Sequence, residues 1–336
     1  MTRDRSTLRG GYRRLALAGI GLLGVISIVG SGGGDPAFFE IGPRPEATIE
    51  PPRQTAQVGT AVTFTVRVSN LAQPFTYRWS RLRKDGSTTY ENIAGATSAT
   101  LTLAAVNLTD DGALFRAEAS GDGGGFAAYA YVGLAVSSMP GVVFQDGDFQ
   151  PSGWTVVAIS DPAQDGPTHA ESRVDIGGNL GAYRSMTMTL QALPASIRVF
   201  HSAQAALYDP ATQGAIDMID FTEDCLTPEP SKSKAIPWSA PMLEQAGRRF
   251  IAVYHWRLSC RSYTWVSLPA RAWLGAQDFE LADGSACGSG EACPDFSIQG
   301  APIRLGYVTG TEAPLGTLPG TLFHGIDNWT ATVWRK

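Results

Sequence analysis

Three sets of residues in this sequence carry side chains specific enough to do chemistry. The first is acidic: Asp217, Asp220, Glu223 and Asp224 lie close together. Two neighbouring carboxylates, one buried and protonated and the other ionised, are the machinery of glycoside hydrolysis. Asp220 and Glu223 are the candidates for that reaction, although carboxylates this close along a strand are also ordinary surface residues. The second set is aromatic: Tyr208, Trp238, Trp256, Trp265 and Trp273. Sugar rings present apolar C–H faces that stack on aromatic rings, while Asp, Asn, Gln and Arg bond the hydroxyls. Trp238, in the proline-flanked stretch AIPWSAP, is the best candidate for an exposed platform, with Tyr208 and Arg184 as accompanying contacts. Trp256 alternates with Phe250, Ala252 and Tyr254 and reads as core.

The third set is Cys225, Cys260, Cys287 and Cys293. An even count in an exported chain favours disulfides over free thiols. Of the three connectivities, the preferred one joins Cys287 to Cys293 across a glycine-rich loop and Cys225 to Cys260 between two strand ends. Tight CxxC pairs or adjacent histidines, which a zinc site needs, are absent. The four histidines (His169, His201, His255, His324) are scattered, and His201 and His255 lie within alternating segments that read as structural. No HExxH, GxSxG, P-loop or dinucleotide fingerprint occurs. Catalysis is therefore the weaker reading, and a glycan-active hydrolase ranks behind a binding protein.

The elements that must position these residues are strands. Of 336 residues, 38 are Gly and 21 Pro, only 17% are charged, and no long amphipathic helix pattern appears. Residues 61–68 alternate, with Val62, Phe64, Val66 and Val68 on one face and Thr63, Thr65 and Arg67 on the other. Phe75, Tyr77 and Trp79 repeat the pattern, and residues 101–103, 115–119 and 127–136 supply further strands. Later candidates are 154–159, 183–190, 197–203, 215–221, 249–258, 263–268, 303–308 and 326–334. The class is all-β. The stretch FQDGDFQPSGW (144–154) and its distant counterpart GIDNW (325–329) bracket one closed sandwich over 141–336.

Ahead of both domains, Arg3, Arg5, Arg9, Arg13 and Arg14 precede an apolar run at 15–29, the layout of an export signal cut near Ser31. Fifteen apolar residues fall short of a bilayer span, so a membrane is expected only through an uncleaved leader. The run Ile28-Val29-Gly30-Ser31 looks like a lipobox in which Ser stands for Cys, leaving no thiol to acylate. Without its first 31 residues the chain holds 21 basic and 30 acidic side chains, a balance of −9. That sign opposes a phosphate backbone, and no nucleic-acid partner is expected. The expected division is a signal peptide (1–31), a flexible stem (32–47), a first β-domain (48–136), a linker (137–141) and a second β-domain (142–336). The expected location is secreted, periplasmic or cell-surface.

Residues 51–136 resemble bacterial immunoglobulin-like domains. Trp79 stands at the place of the strand-C core Trp, Asp110-x-Gly112-x-x-Phe115 resembles the corner motif before strand F, and IAGATSATLTL (93–103) is typical of these modules. Val66 and Ala117 stand where the sandwich cysteines would be, and Phe115 replaces the corner Tyr. The resemblance implies a spacer or adhesion module. The second domain resembles the jelly-roll, lectin-like carbohydrate-binding modules of secreted bacterial proteins, on Gly147-Asp148-Phe149-Gln150, Trp154 and Ile326-Asp327-Asn328. Its middle, GGNLGAYR (177–184) and YDPATQGAIDMIDFTED (208–224), also resembles secreted bacterial sandwich domains. In such modules the two termini share a structural Ca²⁺, which implies oxygen ligands from Asp146, Asp148 and Asp327. An Asp-Gly turn and a strand-end Asp that accepts backbone hydrogen bonds are the alternative reading of the same residues. Together these features predict an immunoglobulin-like sandwich plus a larger jelly-roll β-sandwich. The predicted function is non-catalytic binding of carbohydrate or another cell-surface ligand; the alternative is a structural or adhesive surface protein with no small-molecule site.

Overall fold

The computed structural model describes residues 44–51, 53–71, 74–83, 88–121, 127–161, 166–179, 181–191, 194–227, 235–253, 257–260, 262–268, 271–285, 287, 293–313 and 319–336. The leader, most of the stem, Trp256 and His255 lie outside these residues. Strands dominate, and the all-β expectation holds. By their contacts the residues group into two compact units. Among the described residues the smaller comprises 44–50, Thr63–Leu103 and Gly112–Leu134; the larger comprises Pro51–Val62, Ala104–Asp111 and Ala135–Lys336.

The first eight strands are β1 (Glu46–Glu50), β2 (Arg53–Gln57), β3 (Val62–Ser69), β4 (Thr76–Leu82), β5 (Tyr90–Asn92), β6 (Thr100–Leu103), β7 (Ala113–Ser120) and β8 (Ala127–Ser137). They form one sheet ordered β1-β3-β6 and another ordered β2-β8-β7-β4-β5, the two-sheet layout of an immunoglobulin-like sandwich. Alternation decides what each strand buries. In β7, Ala113, Phe115, Ala117 and Ala119 are buried while the residues between them are half-exposed. Trp79 is fully buried and donates from Nε1 to the Ser98 carbonyl at 3.0 Å, so it is a core residue. Phe64 and Phe115 pack at 5.8 Å between ring centroids. Val66 and Ala117 are buried without a disulfide, and apolar contact fills the place the bridge would take.

The remaining strands are β9 (Val142–Asp146), β10 (Trp154–Asp161), β11 (Thr168–Gly178), β12 (Gly181–Leu190), β13 (Ala195–Tyr208), β14 (Ile216–Leu226), β15 (Trp238–Gln245) and β16 (Arg248–Ala252), followed by β17 (Leu258–Ser259), β18 (Val266–Ser267), β19 (Arg271–Leu274), β20 (Phe279–Leu281), β21 (Ile303–Ala313) and β22 (Gly320–Arg335). One sheet runs β10-β13-β21-β15-β16-β20, with β17 on β15. The other runs β11-β12-β22-β14-β18, with β19 on β14 and β9 on β22. The chain changes sheet between β12 and β13, between β14 and β15 and between β21 and β22; within the sheets β12 and β14 flank β22 while β13 and β15 flank β21. The inner faces meet in a core that includes Phe200, Phe221, Leu243, Ile251, Phe279 and Leu305.

The two bracketing stretches meet as the sequence implied. Strand β9 pairs with β22, placing Asp146 opposite Trp329. Trp154 stacks on Phe149 at 5.6 Å and meets Trp329 edge-on at 5.3 Å. Both predicted disulfides are present, Cys225–Cys260 and Cys287–Cys293.

Candidate functional site

The expected ligand residues are not surface groups, which corrects the sequence reading. Trp238 begins strand β15 instead of lying in a loop, is 8% exposed, and carries the Arg257 guanidinium over its ring at 4.9 Å. Tyr208 is fully buried, and its hydroxyl donates to the Gly214 carbonyl at 2.8 Å. Arg184 is buried with its guanidinium 6.0 Å from the Trp154 ring centroid. A ring that stacks on a sugar must offer an open face, and neither Trp238 nor Tyr208 does. The cause is strand parity: Arg184 shares the inward register of Met186, Met188 and Leu190.

The expected calcium ligands also part company. Asp146 accepts from the Asp148 and Phe149 amides through Oδ1, each at 2.8 Å, and from Trp154 Nε1 through Oδ2 at 2.7 Å. It is a turn-forming aspartate, the alternative the sequence allowed. Asp148 pairs with Arg173 and accepts from Gln150, and these bonds hold its carboxyl below the usual carboxylate range. Asp327 is buried opposite Asp224. Among the described residues no three His, Cys, Asp or Glu side chains are placed to hold a metal ion.

The hydrolase candidates are engaged elsewhere. Asp220 accepts from the Trp273 amide at 2.7 Å and from Trp334 Nε1 at 2.8 Å. Glu223 is buried between the sheets, where it pairs with Arg271 at 3.0 Å and accepts a hydrogen bond from Ser239. The same interior holds His201, stacked on Tyr307 at 4.5 Å, and His324; neither ring nitrogen of either histidine finds a partner among the described residues. These polar groups are all buried within the larger sandwich.

What the fold does assemble is a surface around the tip of the β11–β12 hairpin. Because Arg184 points inward, Tyr183 points outward, and Trp265 meets it edge-on with ring centroids 5.2 Å apart. Both rings are half-exposed, and Tyr263 beside them is 64% exposed. Gly325 makes the packing possible, since a β-carbon there would lie 3.0 Å from the Trp265 ring and 3.3 Å from Tyr183. Trp265 Nε1 donates to the Gly177 carbonyl at 2.6 Å, fixing one side of the hairpin tip. The other side is held by acids: Asn179 donates from its amide N to Asp327 at 2.6 Å and from Nδ2 to Asp224 at 2.8 Å. Asn328 adds a bond to Asp224 at 2.7 Å. Burial raises the Asp327 carboxyl above its ordinary range, the bonds from Asn328 and Asn179 oppose that, and Asp224 adds to it. Gly178 has no room for a side chain here, because a β-carbon would fall 2.6 Å from Asp327 Oδ2.

The loop carrying Tyr263 and Trp265 is anchored by Cys225–Cys260 and by two bonds from Thr227, to the Ser262 carbonyl at 2.8 Å and the Cys260 carbonyl at 3.0 Å. Removing this disulfide with the C225S/C260S double substitution should cost about 3 kcal/mol in denaturant unfolding. It should also expose Trp265, read as increased fluorescence quenching in the folded state. The sequence contained Trp265 among its aromatic candidates. Tyr183 was visible only through the parity of β12.

No known protein family and no curated protein matches the chain. Among solved structures it is similar, at 25% identity over 29% of its length, to a four-immunoglobulin-domain fragment of Dscam1 isoform 4.44, with a TM-score of 0.23. The match covers 21% of that fragment, so the chain spans about a fifth of the Dscam1 structure. A marsupial T cell receptor is 11% identical over 47% of this chain and 91% of its own, again with a TM-score of 0.23. A structure concerning T cell activation by the bacterial superantigen toxic shock syndrome toxin-1 is 17% identical over 27% and 98%, with the same TM-score. At such scores the likenesses carry no argument, and the immunoglobulin-like description rests on the sheets themselves.

Proposed function

We propose that this is an exported, non-catalytic binding protein whose larger sandwich takes carbohydrate at the Tyr183–Trp265 surface. The carrying observation is that pair of half-exposed rings, set edge to face over Gly325 and pinned by a disulfide-anchored loop. Aromatic faces held in this way stack on the apolar side of a sugar at little entropic cost, because few rotamers remain to be lost. The wrap of β12–β13, β14–β15 and β21–β22 around the core is read as a jelly roll, an architecture suited to lectin-like sites. Export is supported by the basic-then-apolar start of the sequence and by two disulfides. Among the described residues no helix is long and apolar enough to cross a membrane.

The test is a glycan array probed with the full chain and with W265A. Saturable binding to a defined glycan, weakened at least about tenfold in W265A while the melting temperature stays within a few degrees, supports the reading. A blank array, or binding indifferent to Trp265, overturns it in favour of a structural or adhesive protein without a small-molecule site.

A further inference from the structure

The smaller unit carries a surface that neither its core nor the carbohydrate reading uses. Parity sets the inward residues of β7 against Trp79 and Ala130, so Arg116 and Glu118 face outward. Cross-strand pairing then gathers Arg78 opposite Glu118, Ser80 opposite Arg116, Tyr131 opposite Arg116 and Tyr129 opposite Glu118. Tyr129 and Tyr131 are 47% and 55% exposed, unusual for large rings on a sheet. The Arg116 guanidinium lies 4.6 Å from the Tyr90 ring centroid and 5.6 Å from that of Tyr129. Tyr90 in turn packs on Tyr131 at 5.9 Å.

The charges on this face are unequal. Arg78 is neutralised by Glu118 at 2.6 Å. Arg116 has Ser80 Oγ at 3.2 Å from Nε and its two tyrosines, and among the described residues no carboxylate pairs with it. A guanidinium flattened between rings is held in one orientation and keeps its outer N–H edge for a bidentate carboxylate. It is a cation with no carboxylate partner among the described residues, in a tyrosine-lined patch, on a chain whose overall balance is acidic. Tyrosine and arginine are also enriched at protein–protein hot spots.

We infer that the outer face of β5-β4-β7-β8 is a docking surface for an acidic stretch of another protein, with Arg116 taking a carboxylate and Tyr129 and Tyr131 flanking it. The test measures binding of the full chain to poly-L-glutamate by biolayer interferometry, with polygalacturonate and a neutral dextran as the other arms. The expected result is binding to polyglutamate that falls as salt rises and weakens about tenfold both in R116M, which keeps the stacked stem, and in Y129S/Y131S. All three side chains lie on the outer face of the sheet, and the melting temperature should stay within a few degrees in both variants. Absence of polyglutamate binding, or binding that ignores R116M, overturns the inference. Preference for polygalacturonate lost in the same variant also overturns it, because the face then belongs to an acidic polysaccharide. W265A should leave polyglutamate binding intact, so failure here and failure of the carbohydrate reading are separate results.

Discussion

Acidification from pH 6.5 to pH 4 should destabilise the larger sandwich by about 3 kcal/mol. His324 is fully buried, and burial lowers its pKa from 6.5 to about 4. His201 is pushed well below 6.5, first by burial and then by the charges of Arg184, His169 and His324. Both rings are thus neutral in the folded protein and free to take a proton once unfolded. The unfolded chain binds more protons wherever the pH lies between the two values, so stability is full above 6.5 and falls as the pH drops towards 4. The shift at His324 alone corresponds to about 3 kcal/mol, and His201 acts in the same direction. Glu171 lies near this cluster, bonded to His169 at 2.9 Å; Glu223 and Asp146 also act on Tyr307, against which His201 stacks. The raised Asp327 works the other way, since its charge costs stability at neutral pH and protonation relieves that cost. Melting temperatures measured in half-unit steps from pH 7.5 to pH 4 check the expectation, and H324L should flatten the curve. A curve equally steep in H324L would show that the loss has another source.

Breaking the interior ion pair should be comparably severe. Arg271 and Glu223 have side chains 2% and 0% exposed, joined at 3.0 Å. Glu223 Oε2 and Arg271 Nε and Nη1 find no hydrogen bond among the described residues. Removing the cation alone, as in R271M, strands a buried carboxylate and should cost about 4 kcal/mol in denaturant unfolding. Removing both charges, as in R271M/E223L, leaves only packing changes and should recover most of that loss. The contrast between the single and the double variant is the measurement. If both lose equally, Arg271 matters through its volume and not through its charge. The same pair shows how Glu223 is engaged despite its acidic neighbours in the sequence: its Oε1 is held by both Arg271 and Ser239.

Much of the architecture was legible because strand parity is a local property. The alternation at 61–68 appears as Val62–Ser69 with Val62, Phe64 and Val66 buried. That at 183–190 lies in β12, where Arg184, Met186, Met188 and Leu190 are buried. Strands without that signature were missed. Trp238–Gln245 reads as a loop because of its prolines, yet it is nearly buried throughout. Pro241 lies opposite Tyr307 of β21, and on its other side β17 pairs only to Ser239 while β16 begins pairing at Met242. A proline is tolerated at such a gap in the ladder.

By itself the sequence pointed to an all-β chain, to the preferred one of three disulfide connectivities, and to terminal stretches that meet between Asp146 and Trp329. Tertiary structure alone decided which rings stay open. Trp238 and Tyr183 both sit on strands, but Arg257 lies over the ring of the first, while Gly325 and a pinned loop leave the second half-exposed. It also decided that Asp327 answers to Asp224 and Asn179, some 100 and 150 residues away, and not to Asp146 and Asp148. Alternation says which side of a strand a residue occupies; what lies across from that side is set by strands far off in the chain, and no local pattern encodes it.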